Sequence, residues 1–238
     1  MTWILEVAGL SKYFGGLAAV SGVDFNIERG KILGLIGPNG AGKTTTFNLI
    51  CGLEAPTSGV IRFKGEDITG LKPYQICRRN IAKTFQSVKL FFHMSVRENV
   101  LLGALFGASL GMPEAEKEAE KWLDFMGLSA RSGIPARGLT VFEQKRLEIA
   151  RAMATRPELL LLDEVMAGLN PTEVTSAEKL VKRINAEGVT ILMIEHVMHA
   201  IMGVSDRIVV LHYGRKLAEG TPEEISSNRQ VIEVYLGE

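Results

Sequence analysis

Hydrophobic and polar positions alternate along the first thirty residues. Residues 4–7 and 23–27 follow the period of two that is typical of a half-buried strand. Residues 31–37 form a continuous apolar run, as in a strand that is buried on both faces. Residues 43–50 are compatible with a helix, and residues 60–63 with a strand followed by a turn. The pattern therefore predicts several short strands, the first of which form a small antiparallel sheet.

Helical periodicity replaces the strand patterns between residues 95 and 157. Pro113 stands at a suitable first helical position, and acids and lysines lie opposite the apolar face of this helix. That apolar face consists of Ala115, Ala119, Trp122 and Met126. From residue 157 strands resume, and they are predicted at residues 159–162, 190–194 and 208–211. Thr221 and Glu224 form a capping box that predicts the start of a final helix.

Strands that alternate with helices predict an α/β fold with a mainly parallel sheet and helices on its faces. We interpret the helical middle of the chain as an inserted subdomain. The N-terminal strands are interpreted as a second, smaller sheet of antiparallel strands.

Composition and charge narrow the classes of function. The chain has 238 residues, 46% hydrophobic and 23% charged, a globular balance that allows a full core. Lys+Arg and Asp+Glu both number 27, so no basic excess indicates a nucleic-acid partner. Cys51 and Cys77 lack metal-ligand spacing and are typical of a reducing compartment. Because there is no apolar run of about 18 residues and no signal-peptide pattern, we expect a cytoplasmic protein.

A glycine-rich loop follows the buried strand at 31–37. Residues 37–44 match G-x-x-x-x-G-K-[ST] at every position, with a strand before the loop and a helix after it. The glycines let backbone N–H groups approach phosphate oxygens, and the helix N-terminus adds its positive dipole end. Lys43 is expected to reach the β- and γ-phosphates, and the Thr44 hydroxyl to ligate Mg²⁺. The predicted phosphate-binding residues are Gly37, Pro38, Asn39, Gly40, Ala41, Gly42, Lys43, Thr44 and Thr45.

Two acids, Asp163 and Glu164, end the predicted strand at 159–162. Ionised carboxylates at the end of an apolar strand are costly unless a cation or hydrogen bonds satisfy them. We expect Asp163 to hold Mg²⁺ through water, and Glu164 to polarise the attacking water as a general base. Together with the glycine-rich loop, this pair predicts a P-loop nucleotide hydrolase.

Further motifs lie between and beyond these two. They are Thr-Phe-Gln at 84–86, Leu-Thr-Val-Phe-Glu-Gln at 139–144, Ala-Gly-Leu-Asn at 167–170 and Ile-Glu-His at 194–196. In this order the motifs resemble the nucleotide-binding domain of ABC transporters over essentially the whole chain. Residues 147–153 resemble the helix that follows the family signature. Residues 167–171, 220–225 and 234–238 resemble more closely the ATPase subunits of branched-chain (hydrophobic) amino-acid importers. The resemblance implies ATP and Mg²⁺ as the bound groups.

The resemblance also implies roles for single residues. Phe14 matches the aromatic residue that stacks on adenine, and Tyr13 is the neighbouring candidate. Gln86 matches the glutamine that senses Mg²⁺ and the attacking water, and His196 the histidine that contacts the γ-phosphate. The implied metal ligands are Thr44, Gln86 and Asp163. The implied catalytic residues are Glu164, His196, Gln86 and Lys43.

The implied organisation is one ABC ATPase domain. Residues 1–86 and 157–220 form the nucleotide-binding core with the β subdomain. Residues 87–156 form the helical subdomain that carries the family signature, and residues 221–238 form a C-terminal helical extension.

The signature departs from the family pattern Leu-Ser-Gly-Gly-Gln, whose hydroxyl and glycine amides face the γ-phosphate bound by a partner subunit. Thr140 keeps the hydroxyl, Val141 and Phe142 replace the glycines, and Glu143 replaces the glutamine. The two side chains threaten the close approach of the backbone, and a carboxylate repels phosphate. Val165 also replaces a proline that is common after the acidic pair. We hypothesise a heterodimer with a sister ATPase, and a homodimer stays open.

The implied function is the ATP-hydrolysing subunit of an importer for branched-chain or other hydrophobic amino acids. The implied partners are transmembrane permease subunits, a second ATPase subunit and, indirectly, a substrate-binding protein, but no nucleic acid. The permease would hold the chain at the inner face of the cell membrane. Two alternatives are a weakly hydrolysing or non-hydrolysing regulatory subunit, which the altered signature favours, and a soluble ABC-type ATPase that is not tied to transport.

The region after Gln86 is expected to receive a short cytoplasmic helix of the permease. It is rich in apolar side chains between residues 88 and 96. We expect one of Phe91 and Phe92 to be buried and the other to be presented to the partner.

Overall fold

Ten strands and nine α-helices are formed by residues 3–236, the part of the chain that the computed structural model describes. The strands are β1 (Trp3–Phe14), β2 (Leu17–Glu28), β3 (Ile32–Ile36), β4 (Ser58–Phe63), β5 (Glu66–Asp67), β6 (Ile81–Lys83), β7 (Leu159–Asp163), β8 (Thr190–Ile194), β9 (Arg207–His212) and β10 (Arg215–Gly220). The helices are α1 (Lys43–Ile50), α2 (Pro73–Cys77), α3 (Val96–Leu102), α4 (Met112–Phe125), α5 (Val141–Met153), α6 (Pro171–Ala186), α7 (Met198–Val204), α8 (Pro222–Ser227) and α9 (Arg229–Leu236). A π-helical turn, Gly103–Gly107, follows α3.

The main sheet has six strands in the order β10-β9-β3-β8-β7-β6. Five of them are parallel, and β10 alone runs antiparallel to its neighbour β9. The predicted α/β fold with a mainly parallel sheet is therefore confirmed. The sequence analysis did not predict β6 and β10, because β6 has only three residues and β10 is largely polar.

The central strands are buried on both faces, as the apolar runs predicted. All five residues of β3, β7 and β8 are buried. Because side chains alternate between the faces of a strand, Leu33 and Leu35 enter one core, and Ile32 and Ile36 enter the other.

The first of these two cores is closed by α1 and by a second sheet. This sheet is antiparallel and has the order β2-β1-β4-β5. β1 and β2 are twelve residues long, which is more than the predicted segments, because several register shifts let the strands continue past breaks in the alternation.

The other core lies under the helices of the middle segment. The predicted apolar face of α4 is confirmed, since Ala115, Ala119, Trp122 and the following Met126 are all buried. No helix within residues 3–236 has the length and apolar character needed to cross a membrane.

One local expectation was wrong. Phe91 and Phe92 are both exposed, at 52% and 38%, and Leu90 is the buried residue of this loop. The loop is held by hydrogen bonds instead: the side chain of buried Asn99 accepts from the Phe91 N–H (2.9 Å) and donates to the Phe91 carbonyl (3.0 Å). The capping box predicted at Thr221 and Glu224 is confirmed and starts α8. A second helix, α9, follows it, because the Asn228 carboxamide accepts from the Gln230 N–H (3.0 Å) and starts a new helix there. Residues 237 and 238 of the predicted extension lie outside the described part.

Candidate active site

The predicted motifs converge at the carboxyl edge of the main sheet. Gly37 follows β3, Gln86 comes after β6, Glu164 follows β7 and His196 comes after β8. In open parallel sheets this edge is where ligands bind. Gln86, Glu164 and His196 border a cavity of about 430 Å³ at this edge, whereas Gly37 is not among its lining residues. It is lined by Phe14, Leu17, Ala18, Ala19, Asn39, Gly40, Ala41, Gly42, Lys43, Thr44, Thr45, Gln86, Glu164 and His196.

The loop between β3 and α1 needs glycine at two close contacts. Gly37 has φ +150°, and a Cβ there would lie 2.2 Å from the Leu211 carbonyl oxygen. Gly42 has φ +100°, and a Cβ there would lie 2.5 Å from the Ala19 carbonyl oxygen. The loop is therefore pressed against β9 and β2, and α1 starts at Lys43 with its free backbone N–H groups facing the cavity.

Lys43 is buried although it carries a cationic side chain. Its Nζ donates to the carbonyl oxygens of Gly37 (2.6 Å) and Pro38 (3.0 Å). Burial lowers the pKa of Lys43, and the nearby carboxylates of Glu164 and Asp163 oppose that shift. The cavity thus combines a lysine with the helix N-terminus, which suits an anion such as a phosphate group.

The Glu164 carboxylate joins two other predicted residues. Its Oε2 accepts from Nε2 of Gln86 at 2.8 Å, and its Oε1 lies 2.7 Å from Nε2 of His196. Glu164 itself is buried, whereas Gln86 and His196 are exposed. The three side chains therefore form a connected polar group at the cavity wall.

Asp163 lies deeper than Glu164, at the end of β7. Its Oδ2 forms a buried ion pair with Nζ of Lys83 at 3.1 Å. Its Oδ1 is buried and has no hydrogen-bond partner within residues 3–236. Buried polar atoms normally have a partner, so this free oxygen fits a cation or a cation-bound water.

The two aromatic candidates differ in position. Phe14 lines the cavity, but Tyr13, which precedes it in β1, is not among the lining residues. The ring of Phe14 is 46% exposed, and Nζ of Lys12 lies 4.9 Å from its centroid. An exposed ring at the cavity mouth can stack on a planar base.

The altered signature lies at the start of α5, and its residues 140–143 do not line this cavity. Thr140 and Glu143 form a capping box: the Thr140 N–H donates to the Glu143 carboxylate (2.9 Å), and the Glu143 N–H donates to Oγ1 of Thr140 (3.3 Å). The bond from the Thr140 backbone lowers the pKa of Glu143. Val141 is 59% exposed, and Phe142 is partly buried beside Arg146. The carboxylate is thus directed to its own helix terminus.

Three charged residues near the site were missed by the sequence analysis. Lys83 pairs with Asp163, while Lys145 and Glu195 are buried beside Glu164. A lysine within an apolar strand before Gln86 and a glutamate directly before His196 were the available signals.

Comparison with known proteins agrees with this geometry. The family model described as ABC transporter matches residues 20–167, and a model described as branched-chain amino acid ATP-binding cassette transporter matches residues 215–238. The high-affinity branched-chain amino acid transport ATP-binding protein BraF of Pseudomonas aeruginosa is 45% identical, over 99% of this chain and 98% of its own.

Solved structures extend the comparison to the fold. The ADP conformation of MJ1267, an ATP-binding cassette of an ABC transporter, has a TM-score of 0.90 at 30% identity and covers 100% of both chains. The dimeric post-hydrolysis state of the cassette MJ0796, bound to ADP and Pi, has a TM-score of 0.82 at 25% identity and covers 92% of this chain and 98% of its own. The chain therefore belongs to the ABC transporter family, as one of its ATP-hydrolysing cassettes.

Proposed function

We propose that this chain is the ATP-hydrolysing subunit of an importer for branched-chain or other hydrophobic amino acids. The transport role printed for the relative BraF, together with near-complete mutual coverage, supports the substrate class. The match of residues 215–238 to a branched-chain amino acid cassette model supports it independently.

The observation that carries the hydrolytic part is the contact of Glu164 with both Gln86 and His196, beside the phosphate loop. In the proposed reaction, Lys43 and the backbone N–H groups of the loop hold the triphosphate. The Glu164 carboxylate accepts a proton from the attacking water, which Gln86 helps to orient. His196 donates to the γ-phosphate, and the products are ADP and phosphate.

Three residues fit Mg²⁺ at this site. Thr44 offers an exposed hydroxyl, Gln86 an amide oxygen and Asp163 a buried carboxylate oxygen without a partner. When bound, the ion neutralises charge on the phosphate oxygens. Phe14 is the side chain that we propose for stacking on adenine, with Tyr13 as the second candidate.

The proposed membrane partner binds a different cavity, of about 950 Å³, between the main sheet and the helical segment. Its apolar wall includes Leu53, Tyr74, Phe85, Phe91, Leu102 and Phe106. Phe91 and Phe106 are 52% and 75% exposed, so a short helix of a permease subunit can bury them. This contact would hold the chain at the inner face of the membrane, where a second ATPase subunit completes the pair and a substrate-binding protein acts indirectly.

The Glu164→Gln substitution tests the hydrolytic role. A glutamine keeps the size of the side chain but cannot accept the proton of the attacking water. We expect single-turnover hydrolysis of MgATP, measured with the sister subunit present, to slow by about 100-fold or more, while calorimetry shows a dissociation constant close to that of the native chain.

A matched binding control is Lys43→Ala, which removes the cation but leaves Glu164 in place. We expect this variant to bind MgATP about tenfold more weakly or worse, since a charge-assisted hydrogen bond is lost. Hydrolysis at the native rate by Glu164→Gln would reject Glu164 as the base. Native affinity in Lys43→Ala would reject the phosphate site.

A further inference from the structure

Two buried charged side chains lie beside Glu164 and have no part in the proposed reaction. Lys145 belongs to α5, and Glu195 stands between β8 and His196. They are 8% and 2% exposed. Buried charges are costly, so each needs partners that stabilise it.

Lys145 contacts the backbone that carries Glu164. Its Nζ donates to the carbonyl oxygen of Glu164 at 3.1 Å and to that of Ala167 at 2.7 Å. One ammonium group therefore joins both ends of the turn formed by residues 164–167. Burial lowers the pKa of Lys145, which is opposed by the nearby carboxylates, first that of Glu195.

Glu195 holds the same turn at its middle. Its Oε1 accepts from the backbone N–H of Met166 at 2.7 Å. The other oxygen, Oε2, is buried and has no hydrogen-bond partner among residues 3–236. Glu195 therefore binds the turn through the Met166 N–H. Lys145 and Glu195 thus reach the turn from different elements and bind different backbone groups of it.

The turn needs such support because of its backbone conformation. Glu164 has φ +53°, in the left-handed region that residues with a Cβ rarely adopt. Conformations of this kind persist only where the surroundings enforce them. The conformation directs the Glu164 carboxylate to Gln86 and His196.

We propose that Lys145 and Glu195 are positioning residues for ATP hydrolysis, which together hold the turn at 164–167 so that the Glu164 carboxylate stays aligned with Gln86 and His196. The inference rests on the proposed role of Glu164 as the base. The first turn of α5 carries the altered signature. Through Lys145, the same helix is hydrogen-bonded to the backbone of Glu164, the proposed base of its own subunit.

The test compares the native full chain with Lys145→Met and with the pair Glu195→Leu and Glu195→Gln, and every rate is measured with the sister subunit present. Methionine keeps an unbranched side chain but donates no hydrogen bond. Lys145→Met and Glu195→Leu are expected to lower the single-turnover rate at saturating MgATP about tenfold or more, because misplaced catalytic groups are inefficient. The dissociation constant for MgATP should stay within about twofold, since the phosphate loop is untouched.

Two further readouts separate positioning from general destabilisation. Glu195→Gln retains an acceptor for the Met166 N–H, so it should recover most of the rate lost in Glu195→Leu. Hydrogen exchange of the amides at 164–167, measured without nucleotide, should accelerate about tenfold in Lys145→Met and Glu195→Leu. The exchange rates of the amides in α6 should stay unchanged. The control Leu147→Val shortens a fully buried side chain of α5 and should leave the rate and this exchange unchanged.

The outcomes for this inference and for the proposed function differ. If Glu164→Gln is slow while Lys145→Met and Glu195→Leu hydrolyse and exchange at native rates, the positioning role is wrong and the proposed base stands. If Glu164→Gln itself hydrolyses at the native rate, the proposed base is wrong. Equal rates for Glu195→Leu and Glu195→Gln would also overturn the inference.

Discussion

Several residues at this site have a buried charge or a rarely adopted backbone conformation. Lys43, Asp163 and Glu195 are charged residues that are more than nine-tenths buried, and Glu164 combines burial with a left-handed backbone. Such groups reduce the stability of the fold and are kept where they serve binding or catalysis. Glu195 shows the cost of burial most clearly, because burial raises its pKa to about 7.

The raised pKa of Glu195 predicts a pH-dependent stability. The folded chain holds the proton of the Glu195 carboxyl group more tightly than the unfolded chain does. This protonated group therefore stabilises the fold, in full below its ordinary pKa of 4.5, and the stabilisation is lost as the pH rises through about 7. Relative to Glu195→Gln, the native free energy of unfolding should therefore fall by about 3 kcal/mol between pH 4.5 and pH 8. Urea unfolding of both proteins at the two pH values measures this, and a constant difference would contradict it.

At the scale of elements, α5 binds two loops of the site, and no sequence motif indicated these contacts. It begins at the signature capping box, binds the turn after β7 through Lys145, and binds the loop after β6 through Glu148, whose carboxylate accepts from the Lys89 N–H at 2.8 Å. Helices with such contacts move as rigid units, so a displacement of α5 changes both loops together.

The capping box of α5 predicts a measurable contribution to stability. Thr140→Ala removes the acceptor of the Glu143 N–H, which costs about 1 kcal/mol. For a domain of this size we expect the melting temperature to fall by about 2–4 °C. Thr140→Ser keeps the hydroxyl and should melt close to the native chain. Equal melting of Thr140→Ala and the native chain would show that the box contributes nothing.

At the scale of the whole molecule, residues 140–143 of the altered signature do not line the cavity beside the chain's own phosphate loop. The related cassette MJ0796 is dimeric in its post-hydrolysis state with ADP and Pi. The exposed Val141 and the partly buried Phe142 stand where the family pattern has glycines, so they limit how closely a backbone can approach a phosphate. We therefore propose that a sister ATPase supplies the other signature.

The heterodimer proposal predicts the turnover of the assembled protein. The chain alone should hydrolyse ATP slowly, and addition of the sister subunit with the permease should raise the rate of the site that contains Glu164. Steady-state hydrolysis measures this when the sister carries its own substitution of the catalytic glutamate. Equal turnover with and without the sister would reject the heterodimer and favour a homodimer.

The sequence by itself determined the parallel core, the phosphate loop and the acidic pair. These features follow from local pattern: continuous apolar runs form strands that are buried on both faces, and glycines with a lysine at fixed spacing form the loop. The predicted subdomain boundaries at residues 86, 156 and 220 stay a prediction.

Only the tertiary structure decided which distant side chains meet. Lys83 reaches Asp163, while Lys145 and Glu195 reach the turn that carries Glu164, across long separations in sequence. No local periodicity encodes such pairs, because they depend on how strands and helices are stacked. For the same reason the hydrophobicity of Phe91 and Phe92 did not predict their exposure, which accompanies a loop whose backbone is held at Phe91 by two hydrogen bonds of buried Asn99.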